Sequence, residues 1–442
     1  MLYNFFLLIC IFLFCSTGHA QFFNDLCPSG ANTKTEIQSI VDGDKFLKPI
    51  DSLPLETSLS PGGKPFVLDA KSRKVYFEIN AKLQCSVLEL LDRYKMPWIS
   101  VVLIDPETGA VLSIANSYKQ NPDSLNFAIQ SRVPAASIFK IVTATAGIEE
   151  KGLNNNTIVK FRGGNYVLSD YNYKPDSKKD TRQMSVGEAL GKSVNPVFGR
   201  LALGYLGADS LEEHAKKFGF NYHISSQIKL EPSIFTKPKT DYELARTGAG
   251  FGDVTMSPLH GALIAASLEN SGIIIRPRLI STVEAPEGEI IYKSKKDAFG
   301  TAISQKNVDE LKQIMANSTL TGTAKKYFSG SKYKIYSKTG TLNGENPKGL
   351  NRWFIGLFKD PASQKSVAIS VLVTDTTARG ISGTAVARDV ISTFFSPNYE
   401  VPSISYASKR PVKSRYTPKK SLGKVYAGKG KSVKKFKKKK KK

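Results

Sequence analysis

Three short stretches of this 442-residue chain hold side chains that could perform chemistry together. The first is Ser137-Ile138-Phe139-Lys140, just after Pro134. On a helix, residues three apart share a face, so a Lys amine would lie within reach of a Ser hydroxyl. A serine hydroxyl is a poor nucleophile at neutral pH, and a Lys of lowered pKa can serve as its base. A helix start also offers free N–H groups to a developing oxyanion. The second stretch is Ser193-Val194-Asn195, in which a hydroxyl can relay a proton and an amide can donate to a carbonyl. The third is Lys338-Thr339-Gly340-Thr341. There a Lys can hold a carboxylate and depress a neighbouring Lys by like-charge repulsion, and Gly340 leaves room for a substrate backbone to approach the strand. Ser-x-x-Lys alone is a weak signal, because the spacing recurs at Ser329–Lys332, Ser331–Lys334, Ser421–Lys424 and Ser432–Lys435. Ser-x-Asn recurs at Ser124–Asn126 and Ser396–Asn398, whereas Lys-Thr-Gly occurs once. The chain has no His-Glu-x-x-His, no Gly-x-Ser-x-Gly and no P-loop, and His214, His223 and His260 read as structural or solvated.

The elements that must position these groups are legible from periodicity. Leu83, Val87, Leu90 and Leu91 have helical spacing. The apolar runs Trp98 to Ile104 and Ala110 to Ile114 flank Asp105-Pro106-Glu107-Thr108-Gly109, which predicts a β-hairpin. Helices are expected over 138–150, 185–190, 196–204, 209–218 and 258–270. Strands are expected over 334–337, 353–358 and 366–374, and a last helix over 384–395. The predicted fold class is α+β: an antiparallel sheet, assembled from both ends of the segment and flanked by helices, with an inserted all-α subdomain.

With all three motifs in this order, the chain resembles the serine penicillin-binding proteins and their β-lactamase relatives. The resemblance covers about Val75 to Phe395. It extends to the 101–114 hairpin, to Met184–Ala202, to the helix and Asn/Gly turn in 248–279, and to Lys338–Phe358 with Trp353-Phe354-Ile355-Gly356. It implies that Ser137 is acylated and that Lys140 is the general base. Ser193 would pass the proton to the leaving amine, and Asn195 would bind the substrate amide. Lys338 would keep the Lys140 amine neutral, while Thr339 and Thr341, beside Gly340, would grip the terminal carboxylate. The backbone N–H groups of Ser137 and Thr341 would form the oxyanion hole. The implied partners are peptidoglycan stem peptides ending in D-Ala-D-Ala, and β-lactams. No metal or cofactor is implied. A D,D-transpeptidase is the leading expectation; a D,D-carboxypeptidase, a β-lactamase and a non-catalytic β-lactam or muropeptide sensor are the alternatives. Asn195 stands where the class D lactamases carry Val. Neither Glu231 nor Glu243 has the Glu-x-x-Leu-Asn setting of a class A enzyme.

Composition sets the compartment. Charged residues are 23% and hydrophobic residues 41%, which excludes a disordered chain and a polytopic membrane protein. Phe5 to Phe14 is apolar but too short to span a bilayer, and Thr17-Gly18-His19-Ala20 offers small residues for cleavage. Residues 1–20 therefore read as a signal peptide, and the protein as exported to the periplasm or cell envelope. Cys27 and Cys85 then remain, either paired or as two thiols. Residues 21–72, rich in Pro, Gly, Ser and Asp, read as a linker or small pedestal, and 73–397 as the transpeptidase domain. The net charge of +25 is concentrated in the Lys-rich, disordered tail, 398–442: residues 401–442 hold 17 Lys+Arg and no acid. In an exported protein its targets would be anionic wall polymer, lipopolysaccharide or a membrane surface, and not nucleic acid.

Overall fold

The computed structural model describes residues 65–69, 71–117, 120–124, 126–376 and 379–396, together with the short strands Val41–Asp42, Phe46–Leu47 and Ser58–Leu59. The expected signal peptide, Cys27 and the Lys-rich tail lie outside the described residues. Cys85 is disulfide-bonded.

The architecture is α+β. Five antiparallel strands form the main sheet, in the order Lys334–Glu345, Lys348–Lys359, Ser366–Asp375, Ile99–Ile104, Val111–Asn116. The two N-terminal strands thus complete a sheet begun by the last three. The Ile99–Ile104 strand is buried throughout, because helices cover both faces. Val101, Leu103, Ile369 and Val371 face one core, with the Ala81–Tyr94 and Gly383–Phe395 helices. Val102, Ile104, Ala368 and Leu372 face the other, with the Pro258–Ser267 helix. Successive residues of a strand point to opposite faces, so a strand apolar at every position must be covered on both. Close packing there needs Gly261, where a Cβ would come 2.8 Å from Ser370 Oγ.

The helices start where their caps say. Asn80 Oδ1 accepts from Leu83 N at 3.0 Å, and Leu83, Val87, Leu90, Leu91 and Tyr94 are buried on one face. Ser185, Ser257 and Ser382 cap three further helices, and Thr240 and Glu243 form a capping box. Between the two halves of the main sheet lie the helices Lys140–Lys151, Val186–Gly191, Asn195–Leu201, Ala208–Lys217, Asp241–Gly248, Pro258–Ser267 and Val308–Leu320. A second five-stranded sheet joins Lys74–Phe77 to Ile280–Glu284 and to Pro65–Leu68. The boundary expected at residue 72 falls inside the Pro65–Leu68/Lys74–Phe77 hairpin. Among the described residues, no helix is long and apolar enough to cross a membrane.

Candidate active site

Ser137 lies on a 3-10 turn, Ala136–Phe139, and Lys140 is the first residue of the α-helix that follows, Lys140–Lys151. The sequence predicts an α-helix from 138, with the serine at its opening. The difference has a physical cause: Ala136 is left-handed, at φ 50°, so the chain turns sharply just before the serine. In 3-10 geometry residues three apart eclipse one another, which sets the Lys140 amine directly over the Ser137 hydroxyl at 2.8 Å. The turn is held from three sides. Trp353 Nε1 donates to Pro134 O at 2.9 Å. Ala135 N donates to Val254 O at 2.9 Å. Gly250, at φ 86°, lies so close that a Cβ would come 2.4 Å from Ala136 O.

The Lys140 side chain is wholly buried. Its amine donates to Asn195 Oδ1 at 2.8 Å and to the Ala249 carbonyl, and the Phe198 ring lies beside it, 5.7 Å away at its centroid. Burial, then the charge of Lys338, hold its pKa well below the usual lysine value. A neutral amine in this setting donates two protons to Asn195 and Ala249 and turns its lone pair to the Ser137 hydroxyl. Ser137 itself is half-buried.

Ser193 is left-handed, at φ 56°, and lies in the middle of the three-residue segment between the helices Val186–Gly191 and Asn195–Leu201. That conformation is uncommon for serine. Lys338 Nζ donates to Ser193 Oγ at 3.0 Å and to the Thr339 carbonyl at 2.6 Å. Lys338 is also fully buried, and burial lowers its pKa to about 7. Lys334–Glu345 is the edge strand of the main sheet, so Lys338 to Thr341 run along an open border beside the serine turn. Gly340 sits where a Cβ would come 3.3 Å from Ala136 Cβ and from Ile138 Cγ1. The space it leaves is therefore taken by the Ala136–Phe139 turn, whereas the sequence suggests room for a substrate backbone. Thr339 is half-buried, with Oγ1 2.6 Å from Thr323 Oγ1, and Thr341 is exposed.

Thus Ser137, Lys140, Ser193, Asn195 and Lys338 converge in one cleft, with Thr339, Gly340 and Thr341 along its rim. Sequence reasoning missed the Ala249 carbonyl, the Tyr166 carbonyl, which accepts Asn195 Nδ2 at 2.8 Å, Gly250 and Thr323. Backbone acceptors leave no mark in side-chain type, although the Gly248-Ala249-Gly250-Phe251-Gly252 run signals a tight loop. Among the described residues, no group of three or more His, Cys, Asp or Glu side chains is arranged to hold a metal ion.

This fold and cleft match a known class. Residues 99–392 fit the penicillin binding protein transpeptidase domain family, and the chain belongs to it. Among curated relatives it is similar to the peptidoglycan D,D-transpeptidase PbpA of Mycobacterium tuberculosis, at 27% identity over 307 residues, covering 62% of this chain and 61% of that protein. It is also similar to the peptidoglycan D,D-transpeptidase MrdA of Escherichia coli, at 25% identity over 317 residues, covering 60% of this chain and 47% of that protein. The chain therefore matches less than two thirds of the length of these relatives. Among solved structures, penicillin-binding protein A from M. tuberculosis as an imipenem acyl-enzyme complex aligns at TM-score 0.58 and 26% identity, covering 73% of this chain and 80% of that one. The D,D-transpeptidase domain of a peptidoglycan glycosyltransferase from Eggerthella lenta aligns at TM-score 0.61 and 24% identity, covering 73% and 82%, which speaks to the fold alone.

Proposed function

We propose that this protein is a peptidoglycan D,D-transpeptidase working through an acyl-enzyme on Ser137, and that β-lactams acylate the same serine. The observation that carries this reading is the 2.8 Å approach of a fully buried Lys140 amine to Ser137 Oγ. Lys140 takes the hydroxyl proton as Oγ attacks the carbonyl of the penultimate D-Ala. The N–H groups of Ser137 and Thr341 receive the oxyanion. The proton travels through Ser193 to the leaving nitrogen, the C–N bond breaks, and D-Ala departs. An acceptor amine then attacks the ester and restores the Ser137 hydroxyl. Asn195 Nδ2 spends one proton on Tyr166 O at 2.8 Å; its second is free for the substrate amide. Lys338 with Thr339 and Thr341 receives the terminal carboxylate.

Support from relatives is of two kinds: the named transpeptidases share this domain, and a 26%-identical relative is known as an imipenem acyl-enzyme. The test is to incubate the full chain with benzylpenicillin and follow intact mass, then supply stem peptides with an acceptor amine. A lasting adduct on Ser137 plus cross-linked peptide is the expected result. Peptide hydrolysis without cross-linking would make it a carboxypeptidase. Fast drug hydrolysis would make it a lactamase, and an adduct without peptide turnover a sensor. No adduct at all would reject the mechanism. We further propose export to the periplasm or cell envelope, where the basic tail meets anionic polymer or lipid. Deleting residues 401–442 should leave acylation intact and weaken salt-sensitive binding to anionic vesicles or sacculi. Unchanged binding would make the tail a bystander.

A further inference from the structure

Between the paired strands Ile158–Phe161 and Arg182–Ser185 the chain makes a long excursion, residues 162–181. Two of its carbonyls hold Asn195. The Asn165 carbonyl accepts the Asn195 backbone N–H at 2.7 Å, and the Tyr166 carbonyl accepts Asn195 Nδ2 at 2.8 Å. With Nδ2 committed to Tyr166, Oδ1 must face Lys140. The reversed amide would set an oxygen against the Tyr166 carbonyl and an N–H against the Lys140 amine. The excursion thus decides which way the amide points.

A buried charge cluster holds the excursion. Arg162 Nη1 donates to Asp180 Oδ1 at 2.8 Å and Arg200 Nη2 donates to it at 2.9 Å, while Arg200 Nη1 binds the other carboxylate oxygen. Arg200 also donates to the Lys160, Asn172 and Lys174 carbonyls, each at 3.1 Å. Arg162 Nε donates to the Tyr171 carbonyl at 2.6 Å. The Asp180 and Arg200 side chains are only 3% and 4% exposed. Burial works against the Asp180 charge, but hydrogen bonds from Arg200, the Asp176 backbone and Arg162 outweigh it and keep the carboxyl far below its usual range. Arg200 lies on the Asn195–Leu201 helix, so the cluster ties the excursion to the helix that presents Asn195.

We infer that Asp180, Arg162 and Arg200 are positioning residues for acylation: they hold residues 162–181 on the Asn195 helix, so that Asn165 and Tyr166 fix the Asn195 amide and, through it, the Lys140 amine. The inference rests on the Ser137 acyl-enzyme proposed above. Its test is a double-mutant cycle on the full chain, reading the benzylpenicillin acylation rate by intact mass. Asp180→Asn should slow acylation on the order of tenfold to a hundredfold. The double variant with Asn195→Ala should be no slower than Asn195→Ala alone, because both changes act through one amide. Losses that multiply, or an unchanged rate in Asp180→Asn, would overturn the inference. Should Asp180→Asn fail to fold, Arg182→Ala serves instead. Arg182 is exposed and tethers the same excursion from outside, donating to Asn165 Oδ1 at 2.9 Å and to the Gly163 carbonyl. It should slow acylation several-fold, again only while Asn195 is present, and an unchanged rate would refute the idea. A wild-type chain that benzylpenicillin does not acylate would refute the Ser137 reading itself, and this inference with it.

Discussion

Lys140 Nζ donates to Asn195 Oδ1 at 2.8 Å, which joins the Ser137 turn to a helix 55 residues further along the chain. This contact fixes the lysine amine by its protons and leaves its lone pair for Ser137. Several measurable consequences follow from that geometry and from the packing around it.

Replacing Lys140 with Met preserves volume and removes the proposed base. Acylation by benzylpenicillin should fall on the order of 10²- to 10⁴-fold. The melting temperature should hold or rise, since a buried amine costs stability. An unaltered acylation rate would take Lys140 out of the chemistry.

The pH profile of second-order acylation should be bell-shaped. Lys140 must be neutral to accept a proton, so the rate climbs with pH on the acid side. Burial, then the Lys338 charge, moves that limb well below the usual lysine range. Lys338, lowered to about 7 by burial, loses its charge as pH rises through that value, and with it the attraction for a carboxylate. The alkaline limb should therefore begin near pH 7 and should disappear for the methyl ester of the same penicillin. A limb unaffected by esterification would separate Lys338 from carboxylate binding.

Gly250→Ala combines a left-handed backbone, at φ 86°, with a 2.4 Å approach to Ala136 O. It should cost more than about 1 kcal/mol of stability and slow acylation by displacing the Ser137 turn. Gly340→Ala meets its neighbours at 3.3 Å, so its effect on melting should be smaller. Equal melting temperatures for wild type and Gly250→Ala would show that the turn yields easily.

His260 is wholly buried; Nδ1 lies 2.7 Å from Ser233 Oγ and Nε2 2.8 Å from the Phe218 carbonyl. Burial lowers its pKa to about 4. The folded protein thus binds this proton less readily than the unfolded chain does. The contribution of His260 to stability should be complete above about pH 6.5 and decline as pH falls toward 4, by on the order of 3 kcal/mol. Urea titrations of wild type and His260→Gln across this range should diverge, with the variant flatter; parallel curves would remove His260 as the cause.

The extent to which sequence revealed this molecule depended on where side chains alone carry the signal. Leu83, Val87, Leu90 and Leu91 announced their helix by period. Trp98 to Ile104 announced a buried strand because all its positions are covered. The sequence signals the Lys334–Glu345 strand only as far as Ser337, since its outer half is polar and owes its extension to pairing with Lys348–Lys359. The Val308–Leu320 helix is absent from the sequence reading although Asn307 and Glu310 have the spacing of a capping box; in the structure Asn307 makes no side-chain cap. The cleft's serine, lysines and asparagine were legible because their identity is their chemistry. The carbonyls of Ala249 and Tyr166 were not, because any residue could have supplied them.

The main sheet also has a consequence for how the molecule comes into being. Ile99–Ile104 pairs with Ser366–Asp375, so a growing chain must carry its early hairpin unpartnered on that side until nearly the whole domain has been synthesised. Ser137 emerges long before Lys338. A product cut short ahead of the last three strands would keep Ser137 and Lys140 yet lack Lys338, and on the function proposed above would go unlabelled by benzylpenicillin.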